Sequence, residues 1–214
     1  GIEESDFIFL IGANPRFEAT ILNARIRKSY LKNKTEIISL NSIGDLTYPY
    51  KKLEGNIDTI KEITNNQHAV SAKIKEAKKP IIIFGQSALE SKSGKYIFES
   101  IKTYLIKNKK ISDAWNSLNT ISENASTVGS LDLGIYKTKD GSNEVLTNLE
   151  NHKYEIVYLL GQDSLKFKKQ NEFIIYQGSH GDEGAEIADI ILPGSAYTEQ
   201  NGYFTNLEGK LQKA

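Results

Sequence analysis

The chain has 214 residues, with 27 basic and 27 acidic side chains, and it contains neither cysteine nor methionine. Zero net charge gives no overall field that would attract nucleic acid or an anionic membrane, so neither is an expected partner. Without cysteine, these residues hold no disulfide, thiolate zinc site, cysteine nucleophile or cysteine-ligated iron–sulfur cluster. The longest apolar runs, such as 7–11 and 156–160, have the length of strands, whereas a membrane-spanning helix needs about 20 residues. We therefore expect no membrane insertion.

Both ends of the sequence indicate a piece cut from a longer protein. The chain opens on Gly1-Ile-Glu-Glu-Ser-Asp6 and enters an apolar run at once, without an initiator methionine or a targeting segment. A short protein trimmed before Gly1 is the alternative. The last residues, 206–214, still have the pattern of an ordered turn and strand, which favours excision.

Short apolar runs alternate along the chain with longer segments of helical spacing. The runs that predict strands are 7–11, 36–40, 80–84, 154–160, 173–176 and 189–192. The segments that predict helices are 17–31, 58–65, 68–78, 94–107 and 112–128, the last with Ser112 as its N-cap. Loops are predicted at 45–55 and 129–143. The alternation predicts an α/β fold with a doubly wound, mostly parallel sheet and flanking helices. We expect one region over 1–214, with candidate divisions into two lobes near 79–80 or within 129–143.

Several predicted strands end in glycine. Gly12, Gly85 and Gly161 each close an apolar run and are followed within two residues by Asn, Ser or Asp. In open α/β sheets the carboxyl ends of the strands form the edge where ligands bind. For any single loop, a permissive turn is the simpler explanation of the glycine.

Standard phosphate-binding and catalytic motifs are absent. The sequence has no Gly-x-Gly-x-x-Gly after a strand and no Gly-x-x-x-x-Gly-Lys-Ser/Thr, so conventional NAD or ATP binding is not expected. His180 with Asp182 and Glu183 is a candidate metal site, although the sequence around it is more typical of a turn. A Ser–His–Asp triad stays open, but there is no Gly-x-Ser-x-Gly elbow.

Arginine is confined to one part of the chain. Only three of the 27 basic residues are arginine, and Arg16, Arg25 and Arg27 all lie in the first predicted helical unit. A guanidinium is a planar, bidentate donor to carboxylate or phosphate that an ammonium cannot imitate. The clustering indicates a specific site or a buried partner, with chance as the alternative. Because Arg25 and Arg27 are two residues apart on a helix, they face different directions and need not share a partner.

Glycine is dense near the C-terminal end, at 178, 181, 184, 194, 202 and 209. Such positions let a backbone approach another molecule closely. Together with the neighbouring Asn, Thr and Glu side chains, they predict a ligand-binding or subunit surface.

Long strings of this sequence resemble one known family. They are Gly12-Ala-Asn-Pro-Arg-Phe-Glu-Ala19, Asn23-Ala-Arg-Ile-Arg-Lys28, Asp45-Leu-Thr-Tyr48, Glu76-Ala-Lys-Lys-Pro80, Gly85-Gln-Ser-Ala-Leu89, Leu131-Asp-Leu-Gly134, Tyr176-Gln-Gly-x-His-Gly-Asp182 and Ala188-Asp-Ile-Ile-Leu-Pro-Gly-x-Ala-Tyr-Thr-Glu199. In this order they are similar to the large iron–sulfur subunits of respiratory complex I, in their molybdopterin-oxidoreductase-like region. The resemblance runs from the first strand to the last residues.

The resemblance implies a non-catalytic scaffold within a proton-translocating NADH:quinone oxidoreductase. It implies a molybdopterin-oxidoreductase-like fold without molybdenum or another cofactor of its own, attached to an N-terminal region that holds 4Fe-4S and 2Fe-2S clusters. The implied partners are that cluster-bearing region of the same chain and other peripheral-arm subunits. The implied location is the cytoplasmic face of the bacterial inner membrane, or the matrix side in a mitochondrion. No catalytic residue and no metal ligand is assigned to these 214 residues.

The same resemblance suggests roles for two sets of residues. Candidates for structural or interdomain ion pairs are Arg16, Arg25 and Arg27. Enzyme members of the wider family hold a pterin dinucleotide in the corresponding loops, so a vestigial pocket is expected there. Its candidate residues are Gly12, Asn14, Gly85, Gly161 and Gly178. Two alternatives stay open: a molybdopterin-dinucleotide-binding domain of a molybdenum oxidoreductase that uses these residues, and a stand-alone nucleotide-binding module.

Overall fold

The computed structural model describes residues 1–122, 124, 127–135, 144–162, 165, 167–181 and 183–213. The chain packs as two compact units, Gly1–Asn124 (unit 1) and Ala125–Ala214 (unit 2). Most of the loop predicted at 129–143, namely 136–143, lies outside the described residues. The division into lobes predicted there or near 79–80 stays a prediction.

Strands and helices alternate through most of unit 1. Its strands are β1 (Phe7–Ile11), β2 (Glu36–Leu40), β3 (Lys51–Leu53), β4 (Pro80–Phe84), β5 (Ile111–Ser112), β6 (Trp115–Asn116) and β7 (Leu118–Thr120). Its helices are α1 (Pro15–Glu18), α2 (Thr20–Asn33), α3 (Ile57–Thr64), α4 (Ala69–Glu76), α5 (Gln86–Leu89) and α6 (Gly94–Lys107). A single turn of 3-10 helix, Ile2–Glu4, precedes β1.

The main sheet of unit 1 is parallel, with the strand order β3-β2-β1-β4-β7. In its centre, Phe7 of β1 lies opposite Glu36 of β2 on one side and Pro80 of β4 on the other. The chain moves outward from β1 to β3 and then returns to β4 on the far side of β1. Because crossovers between parallel strands are right-handed, this reversal puts helices on opposite faces. The predicted doubly wound, mostly parallel sheet is confirmed.

Helices of unit 1 cover both faces of this sheet. On one face, α3, α4 and α6 contribute Ile60, Ile74 and Ile101 to the core. On the other face, α2 contributes Ile26, and the loop before β3 contributes Leu46. All residues of β1 and β4 are buried. Strands covered on both sides are expected to be apolar throughout rather than alternating, which explains why their sequences are so clear.

The helix predicted at 112–128 is wrong in its first part. These residues form the β5–β6 hairpin and then β7, which pairs with β4. Ser112 does accept the N–H of Trp115, at 3.2 Å, but within a hairpin turn. The indole N–H of Trp115 donates to the carbonyl of Pro80 at 2.9 Å. Pairing with β4 therefore overrides the helical spacing.

The predicted 45–55 loop also contains β3, an edge strand too short to show a period.

Unit 2 has shorter elements. Its helices are α7 (Thr127–Asp132), α8 (Glu144–Glu150) and α9 (Glu183–Glu186), with a 3-10 turn at Tyr197–Glu199. Its strands are β8 (Ile156–Leu160), β9 (Phe173–Gly178), β10 (Ile190–Pro193), β11 (Tyr203–Thr205) and β12 (Leu211–Lys213). The last two form an antiparallel pair, consistent with the turn-and-strand pattern seen in the sequence.

The parallel sheet of unit 2 has the order β10-β9-β8. The chain crosses twice in the same direction, so right-handed crossovers put both connections on the same face. On that face Leu159, Ile174 and Tyr176 are buried. Side chains from the two connections, including Leu165 and Ile187, pack against them.

The opposite face of this sheet is apolar and exposed. Strand alternation and the pairing register assign to it the exposed side chains of Ile156, Tyr158, Leu160, Phe173, Ile190 and Leu192. The exposed fractions are 65% for Ile156, 50% for Tyr158 and 72% for Leu160. We call this surface the open sheet face.

Candidate functional site

The carboxyl edge of the unit 1 sheet contains a cavity of about 390 Å³. Gly12, Asn14 and Glu18 line it from the segment after β1, Asn41 lines it from the end of β2, and Ser87 lines it from α5. The structure thus brings two of the vestigial-pocket candidates to one cavity, and that cavity lies at the edge where open α/β sheets bind ligands.

Gly12 and Gly85 let two loops pack against each other. Gly12 has a φ of 58°, and a Cβ there would lie 2.6 Å from the Cβ of Ala88. A Cβ on Gly85 would collide with the carbonyl oxygen of Gly12. That carbonyl also accepts a hydrogen bond of 2.7 Å from Ser87 Oγ. Both glycines are therefore required by the close approach of protein backbone and side chains within unit 1.

Asn14 and Glu18 hold each other in the wall of the cavity. The backbone N–H of Asn14 donates to Glu18 Oε1 at 2.9 Å, and Asn14 Nδ2 donates to the carbonyl of Ile43, also at 2.9 Å. The other oxygen of each side chain, Asn14 Oδ1 and Glu18 Oε2, is buried and has no hydrogen-bond partner among the described residues. Sequence reasoning missed Glu18, because its part depends on the bond to the Asn14 backbone rather than on a motif.

Gly161 and Gly178 belong to unit 2. Gly161 follows β8 with a φ of 60°, and its N–H donates to the carbonyl of Gln177 at 2.7 Å. A Cβ on Gly178, at the end of β9, would collide with the hydroxyl of Tyr176, which donates to the carbonyl of His180. Packing inside unit 2 thus accounts for Gly178. The five pocket candidates fall into two groups, one in each unit.

Arg16 and Arg25 make ion pairs within unit 1. Arg16 donates from one Nη both to Asp45 Oδ2, at 2.6 Å, and to the Asp45 carbonyl, at 2.8 Å. The backbone N–H of Thr47 and then the Arg16 guanidinium hold the pKa of Asp45 below its usual value. Arg25 Nε lies 3.4 Å from a carboxylate oxygen of Glu3. Arg27 is exposed and makes no ion pair with any residue that the structure describes.

A buried polar contact fixes the loop before β3 on α2. Tyr48 donates its hydroxyl to Asn23 Oδ1 at 2.8 Å, and Asn23 Nδ2 donates to the carbonyl of Leu46 at 3.0 Å. Burial raises the pKa of Tyr48, so its hydroxyl stays a donor. Both side chains occur in strings that carry the family resemblance, which is the signal that could have identified the contact.

The histidines are engaged locally. His68 Nδ1 accepts the N–H of Val70 at 3.1 Å and caps α4, whereas His152 Nδ1 lies 2.5 Å from Glu172 Oε1. His180 Nδ1 lies 2.9 Å from the hydroxyl of the adjacent Ser179. Asp182 lies outside the described residues. Within the described part of the chain, no group of three or more His, Asp or Glu side chains could hold a metal ion.

The fold and the position of the cavity define an open α/β domain whose candidate site lies at the carboxyl edge of a parallel sheet. The sequence model of the molybdopterin oxidoreductase family matches residues 1–214, so the chain belongs to that family. No helix among the described residues is long and apolar enough to cross a membrane.

Three curated relatives are named as NADH oxidoreductase or NADH dehydrogenase proteins. The chain is 44% identical over 212 residues to the NADH-ubiquinone oxidoreductase 75 kDa subunit of Reclinomonas americana, covering 99% of this chain and 30% of that protein. It is 38% identical to a subunit of the NADH-quinone oxidoreductase of Rickettsia bellii, covering 100% and 30%. It is 34% identical to NADH dehydrogenase (ubiquinone) iron-sulfur protein 1, mitochondrial, of Solanum tuberosum, covering 99% and 28%. The chain thus spans less than a third of the length of these relatives.

The residues of the unit 1 cavity do not fit the phosphates of a pterin dinucleotide. A phosphate site is normally built from backbone N–H groups, lysine or arginine. The described residues that line this cavity include no lysine or arginine, and they do include the acidic residue Glu18. Gly12 and Gly85 face other protein atoms instead of an open cradle.

Proposed function

We propose that this chain is a structural, non-catalytic domain of the large iron–sulfur subunit of a proton-translocating NADH:quinone oxidoreductase. It supports electron transfer from NADH to quinone by scaffolding cluster-bearing domains and neighbouring peripheral-arm subunits. The proposal is supported by identities of 34–44% to subunits of such enzymes over nearly the whole chain. The 4Fe-4S and 2Fe-2S clusters belong, in this proposal, to the N-terminal part of the longer polypeptide.

The open sheet face is the observation that carries the scaffolding role. All-parallel sheets are found almost only with both faces covered. Burying one large aliphatic side chain contributes about 1.5–3 kcal/mol, so exposed residues such as Leu160 and Ile156 offer a strong docking surface. We propose that the occupant is another segment of the same polypeptide, since the relatives are more than three times as long as this chain. The absence of charged side chains among the six residues of this face favours an equally apolar partner surface.

The assembled enzyme is proposed to lie at the cytoplasmic face of the bacterial inner membrane, or on the matrix side in a mitochondrion. The domain would be part of the peripheral arm and would not insert into the bilayer. This location is supported by relatives of both bacterial and mitochondrial type. Membrane fractionation with protease protection of the full-length protein tests the side.

The scaffolding proposal is tested by charge substitutions in the full-length protein. We expect Leu160→Lys and Tyr158→Lys to reduce assembled NADH:quinone oxidoreductase at least tenfold on native gels, because a buried lysine without a partner is strongly unfavourable. Ile106→Lys is the matched control, since Ile106 is also exposed but lies on α6 of unit 1. Normal assembly of both open-face variants would overturn the proposal. The open-face variants could instead fold normally as full-length polypeptides and fail only to bind one neighbouring subunit. That result would identify the subunit as the occupant and overturn the intrachain proposal.

A molybdopterin-dinucleotide-binding domain is the second candidate, favoured by the family match over all 214 residues. Metal analysis of the purified full-length protein separates the two. Stoichiometric molybdenum would support this candidate and contradict the scaffold, and its absence in an active NADH:quinone oxidoreductase would support the scaffold.

A further inference from the structure

The outer face of α2 has the residue spacing of a contact between two helices. Four exposed residues of α2 are separated by three, four and three positions, and this spacing lines up side chains along the seam of paired helices. They are Ile21, Ala24, Lys28 and Leu31, which we call the α2 seam. Ile21 is 76% exposed and Leu31 is 59% exposed. Large aliphatic side chains at this spacing indicate a surface on which a second helix packs.

The opposite face of α2 is already used by unit 1. Leu22, Ile26 and Tyr30 pack in the core on that face of the sheet. Asn23 is buried and accepts a hydrogen bond from the Tyr48 hydroxyl at 2.8 Å, which fixes the rotation of the helix. The α2 seam therefore stays on the outer face once unit 1 has folded.

Positive charge borders the α2 seam. The helix contains no Asp or Glu, whereas Arg25 and Lys32 lie along one side of the seam and Arg27 lies along the other. Glu3 lies 3.4 Å from Arg25 Nε and 3.0 Å from Lys28 Nζ, and it neutralises part of this charge. Arg27 and Lys32 are exposed and form no ion pair with any residue that the structure describes. A partner that fits the seam should therefore carry carboxylates opposite these two cations.

The charges also select among the molecules that could cover the seam. A second copy of α2 would place cations against cations, which charge patterning at paired helices avoids. A bilayer would have to accept the Lys28 ammonium in the middle of the apolar stripe, at a large desolvation cost. A helix with Asp or Glu beside its own apolar stripe matches both the seam and its borders.

The charged border favours a separately folded protein over another part of the same polypeptide. Interfaces between separate proteins combine an apolar centre with a polar rim. The open sheet face, in contrast, has no charged side chain among its six residues and resembles the interior of one polypeptide. At 1.5 Å per residue the α2 seam is about 15 Å long, so a helix of about three turns covers it.

We propose that the α2 seam binds an acidic amphipathic helix of another subunit of the assembled enzyme. Apolar side chains of that helix pack on Ile21, Ala24 and Leu31, and its carboxylates face Arg27 and Lys32. The inference rests on the proposed scaffolding role and names one class of partner for it.

Photocrosslinking in the assembled full-length enzyme tests the contact. The probe is p-benzoylphenylalanine in place of Thr20, an exposed residue beside Ile21, so the seam itself is unchanged. We expect an adduct with one other subunit, at a helical segment that has Asp or Glu beside an apolar stripe. The same probe in place of Thr103, exposed on α6, is the matched control and should give no such adduct.

The other outcomes of this experiment overturn the inference. They are an adduct with lipid, with the same polypeptide or with a segment that lacks acidic side chains, and normal assembly without an adduct at position 20. Normal assembly without the adduct would leave the scaffolding role intact, because the open-face variants test that role separately.

Charge reversal tests the chemistry of the contact. Arg27→Glu should lower the yield of the Thr20 adduct about tenfold, because it places a carboxylate opposite the carboxylates of the partner. Lys95→Glu, which reverses an exposed charge on α6, is the control and should leave the yield unchanged. Changing the facing Asp or Glu of the partner to Lys should restore the adduct in the Arg27→Glu enzyme. An unchanged yield in Arg27→Glu, or no restoration by the partner's lysine, would overturn the inference.

Discussion

The parallel sheets of units 1 and 2 are built from similarly apolar strands, but among the described residues only the first sheet has helices of its own unit on both faces. In unit 1 the chain reverses its winding at β1, so α2 lies on one face and α3, α4 and α6 lie on the other. In unit 2 the chain winds one way from β8 to β10, and its connections cover one face. The direction of winding, rather than strand composition, decides whether a sheet completes its own core.

This difference predicts where stability resides. The core of unit 1 contains side chains from every layer of a three-layer sandwich, with all of β1 and β4 buried. Unit 2 has a smaller buried cluster around Leu159, Ile174 and Tyr176 and exposes six apolar side chains on the other face. Unit 1 is expected to fold independently. Unit 2 is expected to gain stability from the polypeptide segment that covers the open sheet face.

The largest expected effect comes from the two-sided core. Phe9→Ala should lower the free energy of unfolding of unit 1 by about 3–5 kcal/mol, because Phe9 is fully buried in β1. The only tryptophan, Trp115, lies in unit 1, so its fluorescence during urea unfolding reports that unit alone. Leu160→Ala, on the open sheet face, should change stability by less than about 0.5 kcal/mol by circular dichroism. A comparable loss at Leu160 would show that something already covers that face.

A smaller loss is expected from the buried polar contact on α2. Asn23→Ala should cost about 1–3 kcal/mol, because it leaves the Tyr48 hydroxyl without its acceptor and the Leu46 carbonyl without its donor. The measurement is again urea unfolding followed by Trp115 fluorescence. Asn33→Ala removes an exposed bond to the carbonyl of Glu3 and should cost less than about 0.5 kcal/mol. Equal costs would mean that burial of the contact is unimportant.

The sequence predicted best those elements whose pattern is local. Strands β1, β2 and β4 and helix α6 appear with the predicted bounds, because fully apolar runs and a clear helical stripe identify them. The first part of the helix predicted over 112–128 is wrong because the hydrogen bond from Trp115 to Pro80 and the pairing of β7 with β4 are not visible in its spacing. Tertiary contacts therefore determine the secondary structure of that segment.

The candidate site shows the same limit. Gly12, Asn14 and Gly85 could be selected from the sequence because they follow strands, but their partners could not. Glu18 enters the cavity wall only through its bond to the Asn14 backbone, one turn away. The open sheet face was equally hidden, because β8 has an apolar run like that of β1, and only strand order and winding distinguish them.

The third prediction concerns how the stability of unit 2, whose sheet is covered on one face, depends on pH. The backbone N–H groups of Gln170 and Glu172 and then His152 hold the pKa of Glu172 below its ordinary value of 4.5. A lowered pKa in the folded state stabilises the fold above the unfolded value, and this stability is lost as the pH falls through the folded value. Glu172→Gln should therefore lower the melting temperature of unit 2 at pH 7, and the difference from the unchanged chain should shrink below about pH 4.5. Glu155→Gln, an exposed neighbour, is the control, and a difference that persists at low pH would contradict the assignment.

The smallest expected effect on stability comes from an ion pair at the surface of unit 1. Arg16→Lys should destabilise unit 1 only slightly, because the pair with Asp45 is exposed and screened by salt. The pKa of Asp45 should rise but stay below its usual value, since the N–H of Thr47 is the larger cause of its depression. Carboxyl-carbon NMR titration of Asp45 measures this directly, and Arg27→Lys, which alters no described ion pair, should leave it unchanged. A return of the Asp45 pKa to its usual value in Arg16→Lys would make the guanidinium, rather than the turn, the group that keeps this carboxylate charged.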